Sequence, residues 1–96
     1  MSQPRVTSEQ AADADGEFAQ IQLTQPNVAV AVSISGTFTG TVSLQRRLDG
    51  TNWRTVQTWT AATEATYLGD VACALRLGFD TSGYGSGTAT CRLQAG

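Results

Sequence analysis

Histidine and lysine are both missing from this chain of 96 residues, which removes most of the chemistry a small domain can perform. Histidine is the usual general base near neutral pH and the commonest ligand for transition metals. Without it, acid–base work falls to carboxylates. Glu9, Asp13, Asp15 and Glu17 cluster near the start of the chain, and Asp49, Asp70 and Asp80 fall at turns. No spacing forces two of them into one cleft. The two cysteines, Cys73 and Cys91, are too few for a zinc site, which needs four soft or imidazole ligands. Alternation points both thiols into the core from neighbouring strands, where free cysteine packs as a small hydrophobe. The expectation is no enzyme, no cofactor and no metal.

Two further motifs invite a chemical reading and do not sustain it. Asp13-Ala-Asp-Gly-Glu17 resembles the start of a calcium loop, but such a loop supplies ligands over about twelve residues and closes on a glutamate. Here the chain turns to strand at Phe18. Gly83-Tyr-Gly-Ser-Gly87 has the glycines of a phosphate cradle, yet no helix N-terminus follows to attract an anion. It reads as a hairpin loop.

What is left is recognition. Trp53, Trp59 and Tyr67 are residue types that anchor interfaces or stack on sugar rings. Arg46 and Arg47 flank a hairpin tip and can meet an acidic neighbour. The candidate contact residues are Arg5, Val6, Glu9, Arg46, Arg47, Trp53, Trp59 and Tyr84.

The elements that must position these residues are strands. Apolar residues recur with period two, between breaks of Gly, Asp, Asn and Pro. Val28, Val30, Val32 and Ile34 form the clearest row, and Cys73, Leu75, Leu77 and Phe79 form another. Ala89, Cys91 and Leu93 make the last. Asp49-Gly-Thr-Asn52 is a tight hairpin tip, and Val56 on the returning strand is expected to face the core. Leu48 is read as inward, and residues 80–87 as a long flexible loop. Residues 1–16 read as an extended arm and residues 17–96 as the folded domain. The fold class is all-β, an antiparallel β-sandwich of about seven strands, immunoglobulin-like or jelly-roll-like.

Charge narrows the partners. Residues 1–17 carry a balance of −3, and the remainder carries +1. Scattered arginines do not make the basic stripe that phosphate contacts demand, so nucleic acid is not expected. The charged fraction is 15%, against roughly 25% for typical soluble domains, which suits a surface that packs against copies or neighbours. The longest apolar run, Val28 to Val32, is far short of the ~20 residues of a membrane span. With no apolar leader at Met1, the chain is expected to stay in the cytoplasm where it is made.

The segment Gly36-Thr-Phe-Thr-Gly-Thr-Val-Ser-Leu-Gln-Arg-Arg-Leu-Asp-Gly-Thr-Asn-Trp53 resembles a phrase found in small β-sandwich proteins of tailed bacteriophages. Arg76-Leu-Gly-Phe79, the Gly-rich Ser82–Gly87 and Thr88–Leu93 match its continuation. The resemblance covers about residues 28–94. It implies a structural protein of the virion that decorates and stabilises the capsid, as cement proteins do, contacting the major capsid protein or other virion subunits in a homo-oligomer or symmetric array. A neck, tail or fibre component is the alternative within that class. A carbohydrate-binding module using Trp53, Trp59 and Tyr67 on a host glycan is the alternative outside it.

Overall fold

The computed structural model describes residues 5–95. Eight strands run β1 (Val6–Ala12), β2 (Phe18–Gln22), β3 (Val28–Ser35), β4 (Phe38–Arg47), β5 (Arg54–Trp59), β6 (Thr63–Gly69), β7 (Ala74–Gly87) and β8 (Ala89–Ala95). They form two antiparallel sheets of four strands, ordered β1-β8-β3-β6 and β2-β7-β4-β5. We call these sheet A and sheet B. Alternation in sequence becomes alternation in space: along β3 the residues Val28, Val30, Val32 and Ile34 are buried, while Ala29, Ala31 and Ser35 are exposed. The inward rows of the two sheets meet in one apolar core. Phe79 lies within it, fully buried, with Phe38 and Tyr84 edge-on to its ring at centroid separations of 5.8 and 5.1 Å. This is a sandwich-like arrangement.

The pairing is regular in a way the sequence does not announce. β1 pairs with β8, β2 with β7, β3 with β6 and β4 with β5. The chain is thus a long antiparallel hairpin, closed at β4–β5 and wound so that successive pairs alternate between the sheets.

Several sequence expectations are corrected. Residues 6–12 are not a free arm. They form edge strand β1, in register with β8 from Val6↔Ala95 to Ala12↔Ala89. Its inward positions are Val6, Ser8, Gln10 and Ala12, so the strand lacks the apolar row that would have marked it. Ser8 instead accepts a hydrogen bond from the Gln20 backbone N–H on β2, at 3.2 Å. That satisfies an edge-strand donor and ties the two sheets at one side. Residues 1–4 of the expected arm lie outside the described residues.

The glycine-rich segment after Asp80 is no loop either. β7 continues through it and pairs with the start of β4, Gly40↔Tyr84 and Phe38↔Gly87. The glycines permit close approach: a Cβ on Gly85 would stand 2.8 Å from the Thr39 carbonyl oxygen. Leu48 is 59% exposed, because it lies beyond the end of β4 and not within it. Val56 is exposed as well. Leu44 pairs with Gln57 and Gln45 with Thr55, so Val56 is the extra residue of a β-bulge. Cys73 and Cys91 are buried and free, but they do not come from neighbouring strands. Cys91 is on β8 of sheet A, and Cys73 immediately precedes β7 of sheet B. Burial pushes the Cys91 thiol up to about 11. Burial also raises that of Cys73, with Arg46 opposing the shift and Asp70 adding to it.

Candidate interaction site

The outer face of sheet B carries a stack assembled from four separate stretches of chain. On β7 the inward residues are Leu75, Leu77 and Phe79, which places Arg76 outward. On β2 the inward residues are Ala19 and Ile21, so Phe18 is outward too. Register brings them together, since Phe18 faces Gly78 and Gln20 faces Arg76. The Arg76 guanidinium carbon lies 4.0 Å from the centroid of the Phe18 ring and 4.3 Å from that of the Trp53 ring. Arg47, at the end of β4, brings its own guanidinium to 4.8 Å from Trp53. Flat guanidinium groups pack well on aromatic faces, and Arg does so better than Lys.

Gln45 holds the stack from beneath. It is on the outward side of β4, opposite Arg76, yet only 2% exposed. The Arg76 Nε–H donates to its Oε1 at 2.6 Å. Its Nε2 donates to Asp80 Oδ2 at 2.8 Å and to Thr55 Oγ1 at 3.1 Å. Both functions of the amide are therefore used, which fixes its orientation. Burial pulls the Arg76 guanidinium below the ordinary arginine value; Asp80 opposes that shift and Arg47 adds to it. The group remains a cation at any physiological pH.

The hairpin that delivers Trp53 is well made. Gly50 has φ +77°, the left-handed conformation its place in the tip demands. Asp49 Oδ1 accepts the backbone N–H groups of Thr51 and Asn52 at 2.9 and 2.7 Å, and Oδ2 accepts the Asn52 side-chain amide. These bonds, that from Asn52 foremost, lower the Asp49 carboxyl from 3.8 to about 2.

The structure places the sequence-derived candidates in different settings, and of these only Arg47 and Trp53 share the stack. Arg46, on the inward side of β4, donates to Asp70 at 3.3 Å and to the Tyr67 hydroxyl at 3.4 Å. Trp59, Tyr84 and Val6 pack against the core. The Tyr84 hydroxyl donates to the Gly87 carbonyl at 2.9 Å. Glu9 pairs with Arg92 across β1 and β8 at 3.5 Å, and Arg5 is exposed just before β1. Tyr67 is opposite Val30, on the inward side of β6. Trp53, Trp59 and Tyr67 therefore do not make one stacking platform. Sequence reasoning missed Phe18, Arg76 and Gln45 as a group, although the outward parity of Arg76 was readable.

The acidic stretch serves the fold. Asp15 accepts the backbone N–H groups of Ser82 and Tyr84 at 2.9 and 2.8 Å, where β7 bulges and Ser82 takes φ +65°. Glu17 accepts the Asp13 N–H at 2.8 Å. Among the described residues no group of three or more Cys, Asp or Glu side chains converges as a metal site, and no helix is long and apolar enough to cross a membrane.

Comparison of the chain with family models, with curated proteins and with solved structures found no match.

Proposed function

We propose that this protein is a non-enzymatic structural component of a phage virion, decorating and stabilising the capsid through contacts with the major capsid protein or other virion subunits. The observation that carries the reading is the strand order. Eight strands in two sheets, with pairs β1·β8, β2·β7, β3·β6 and β4·β5 alternating between them, support a jelly-roll reading of the sandwich. An immunoglobulin-type sandwich distributes its strands differently. Jelly rolls recur in viral capsid and lectin domains. The likeness of Gly36–Trp53 and Arg76–Leu93 to small phage sandwich proteins adds to this, and so does a lightly charged surface of Thr, Ser and Gln. Repetition around a shell lets each single contact be modest.

Purified virions test the proposal. Quantitative mass spectrometry should find the protein in many copies per particle. A handful of copies would move it to the neck, tail or fibre, and none would remove it from the virion.

A further inference from the structure

We propose that the Phe18–Arg76–Trp53–Arg47 stack is a docking surface for an acidic segment of a partner protein, whose carboxylates meet the guanidinium groups of Arg47 and Arg76. The inference deepens the assembly reading by naming the partner-facing surface and the chemistry it takes. Three observations carry it.

The first is charge balance. Among the described residues the ion pairs are Arg46–Asp70 and Arg92–Glu9, so Arg47, Arg54 and Arg76, all on sheet B, hold no carboxylate at ion-pair distance. Asp80 acts on Arg76 from farther away, bridged by the Gln45 amide, and leaves Arg47 uncompensated. Two of these cations share one indole ring, although like charges that close repel. A carboxylate arriving there relieves the repulsion.

The second is preorganisation. A free arginine loses much rotamer freedom when it binds. Arg76 has already lost it, being held by Phe18, Trp53 and the buried Gln45 amide. Its Nε–H is occupied by Gln45, which leaves the terminal NH₂ groups to bind a carboxylate in the bidentate manner that arginine favours.

The third concerns who the partner is. The chain's own acidic loop is mostly engaged: Asp15 accepts two backbone N–H groups and Glu17 accepts another, while Asp13 is bonded through its backbone N–H. A second copy therefore offers the Asp13 carboxylate there and not a free row of them. Nucleic acid is a poor match as well, because its affinity grows with the number of phosphates neutralised, and this face presents few cations on a chain of net charge −2. Trp, Arg and Phe at the centre, with Gln and Thr around them, is the composition of a protein-binding hot spot.

The test is an NMR titration of the full chain with a short poly-glutamate peptide at low ionic strength, following the arginine Nε–Hε and indole Nε1–Hε1 signals. The peptide should shift Arg47, Arg76 and Trp53 and leave Arg46 and Arg92 in place. Arg76→Gln and Arg47→Gln should each weaken binding by about fivefold or more. Arg47 makes no hydrogen bond to Gln45, so its variant keeps the test decisive if Arg76→Gln fails to fold. Unchanged affinity in Arg47→Gln would overturn the proposal. So would equal shifts at all arginines, an equal response to single-stranded DNA or inorganic phosphate, or concentration-dependent shifts of these signals in the protein alone. Recovery of the same variants from virions separates the two readings. A variant that loses the peptide but still enters virions sinks the docking surface alone. A wild-type protein that binds the peptide but is absent from virions sinks the assembly reading alone.

Discussion

The outer faces of the two sheets treat charge in opposite ways. On sheet A, register puts Glu9 beside Arg92, Arg92 beside Ser33 and Ser33 beside Glu64. Glu9 pairs with Arg92, and Ser33 donates to Glu64. Ala29, Ala31, Ser35 and Thr66 fill the neighbouring positions with small exposed side chains. Leu68, opposite Ala29, is the large apolar side chain exposed there, and the charges of that face find partners across the strands. On sheet B the arginines stack on aromatic rings and a buried glutamine supports them; Asp80 acts on Arg76 from beyond ion-pair distance, bridged by that glutamine, and Arg47 has no carboxylate at ion-pair distance among the described residues. Both faces obey the same pleat. What differs is that one face satisfies itself, and the other is held rigid but electrically unfinished. A rigid, unfinished surface is what a recognition site requires.

Substitutions can break this comparison, and the largest effect should come from beneath the sheet B face. Gln45→Leu leaves the Arg76 Nε–H and the Asp80 Oδ2 without their partner, and should cost about 2–3 kcal/mol in denaturant unfolding. Trp53→Ala removes a ring that faces two guanidinium groups and should cost about 1–2 kcal/mol. Gly50→Val keeps every side chain of the stack but strains the tip that carries Trp53. It should cost about 1 kcal/mol, through backbone conformation alone, since no atom stands within 4 Å of a Cβ there. An unchanged urea midpoint would detach the hairpin from the fold's stability. On sheet A, Arg92→Gln should cost less than about 1 kcal/mol, because the pair with Glu9 is exposed, and high salt should erase the difference. If Arg92→Gln proved as costly as Gln45→Leu, the contrast between the faces would collapse.

The smallest effect is one of pH. The Asp49 carboxyl is lowered from 3.8 to about 2 in the folded state. A depressed folded value means the ionised carboxylate favours the native hairpin. Its contribution is fully present above the unfolded value near 3.8 and is lost as pH falls toward 2. Carbon-detected titration should give Asp49 a midpoint of about 2, and Asp49→Ala should show a shallower loss of melting temperature between these pH values than the wild-type chain. A midpoint at the ordinary value would mean that the turn does not hold the carboxylate.

The parts of this molecule legible in the sequence are those where one face of a strand is fully buried. β3 and β8 alternate without a break, and Asp49-Gly50 announces its turn. β1 was hidden because its inward side is only partly covered, so Ser8 and Gln10 stand where an apolar row would. The far half of β7 was hidden because close approach to β4 requires glycine, which also marks loops. Val56 departs from its expected inward side because a bulge shifts parity without a reliable sign in a single sequence. The stack was half legible for a different reason. Arg47 and Trp53 are near in sequence and draw notice as types, whereas Phe18 and Arg76 join them only through the β2·β7·β4 register. Phe18 reads as a core residue until Ala19 and Ile21 are known to face inward. Gln45 gives no signal at all, since a polar residue at an outward position is unremarkable until something covers it.

The claim everything else leans on is that Arg76 is pinned. The arginine Nε–Hε region of the free protein's nitrogen–proton spectrum tests it directly. One signal, assigned to Arg76, should lie well displaced from the others by the ring currents of Phe18 and Trp53, exchange slowly with water, and return to the common position in Trp53→Ala. An Arg76 signal that overlaps Arg5 and exchanges as fast would mean the side chain is free, and the outer face of sheet B would be no different from that of sheet A.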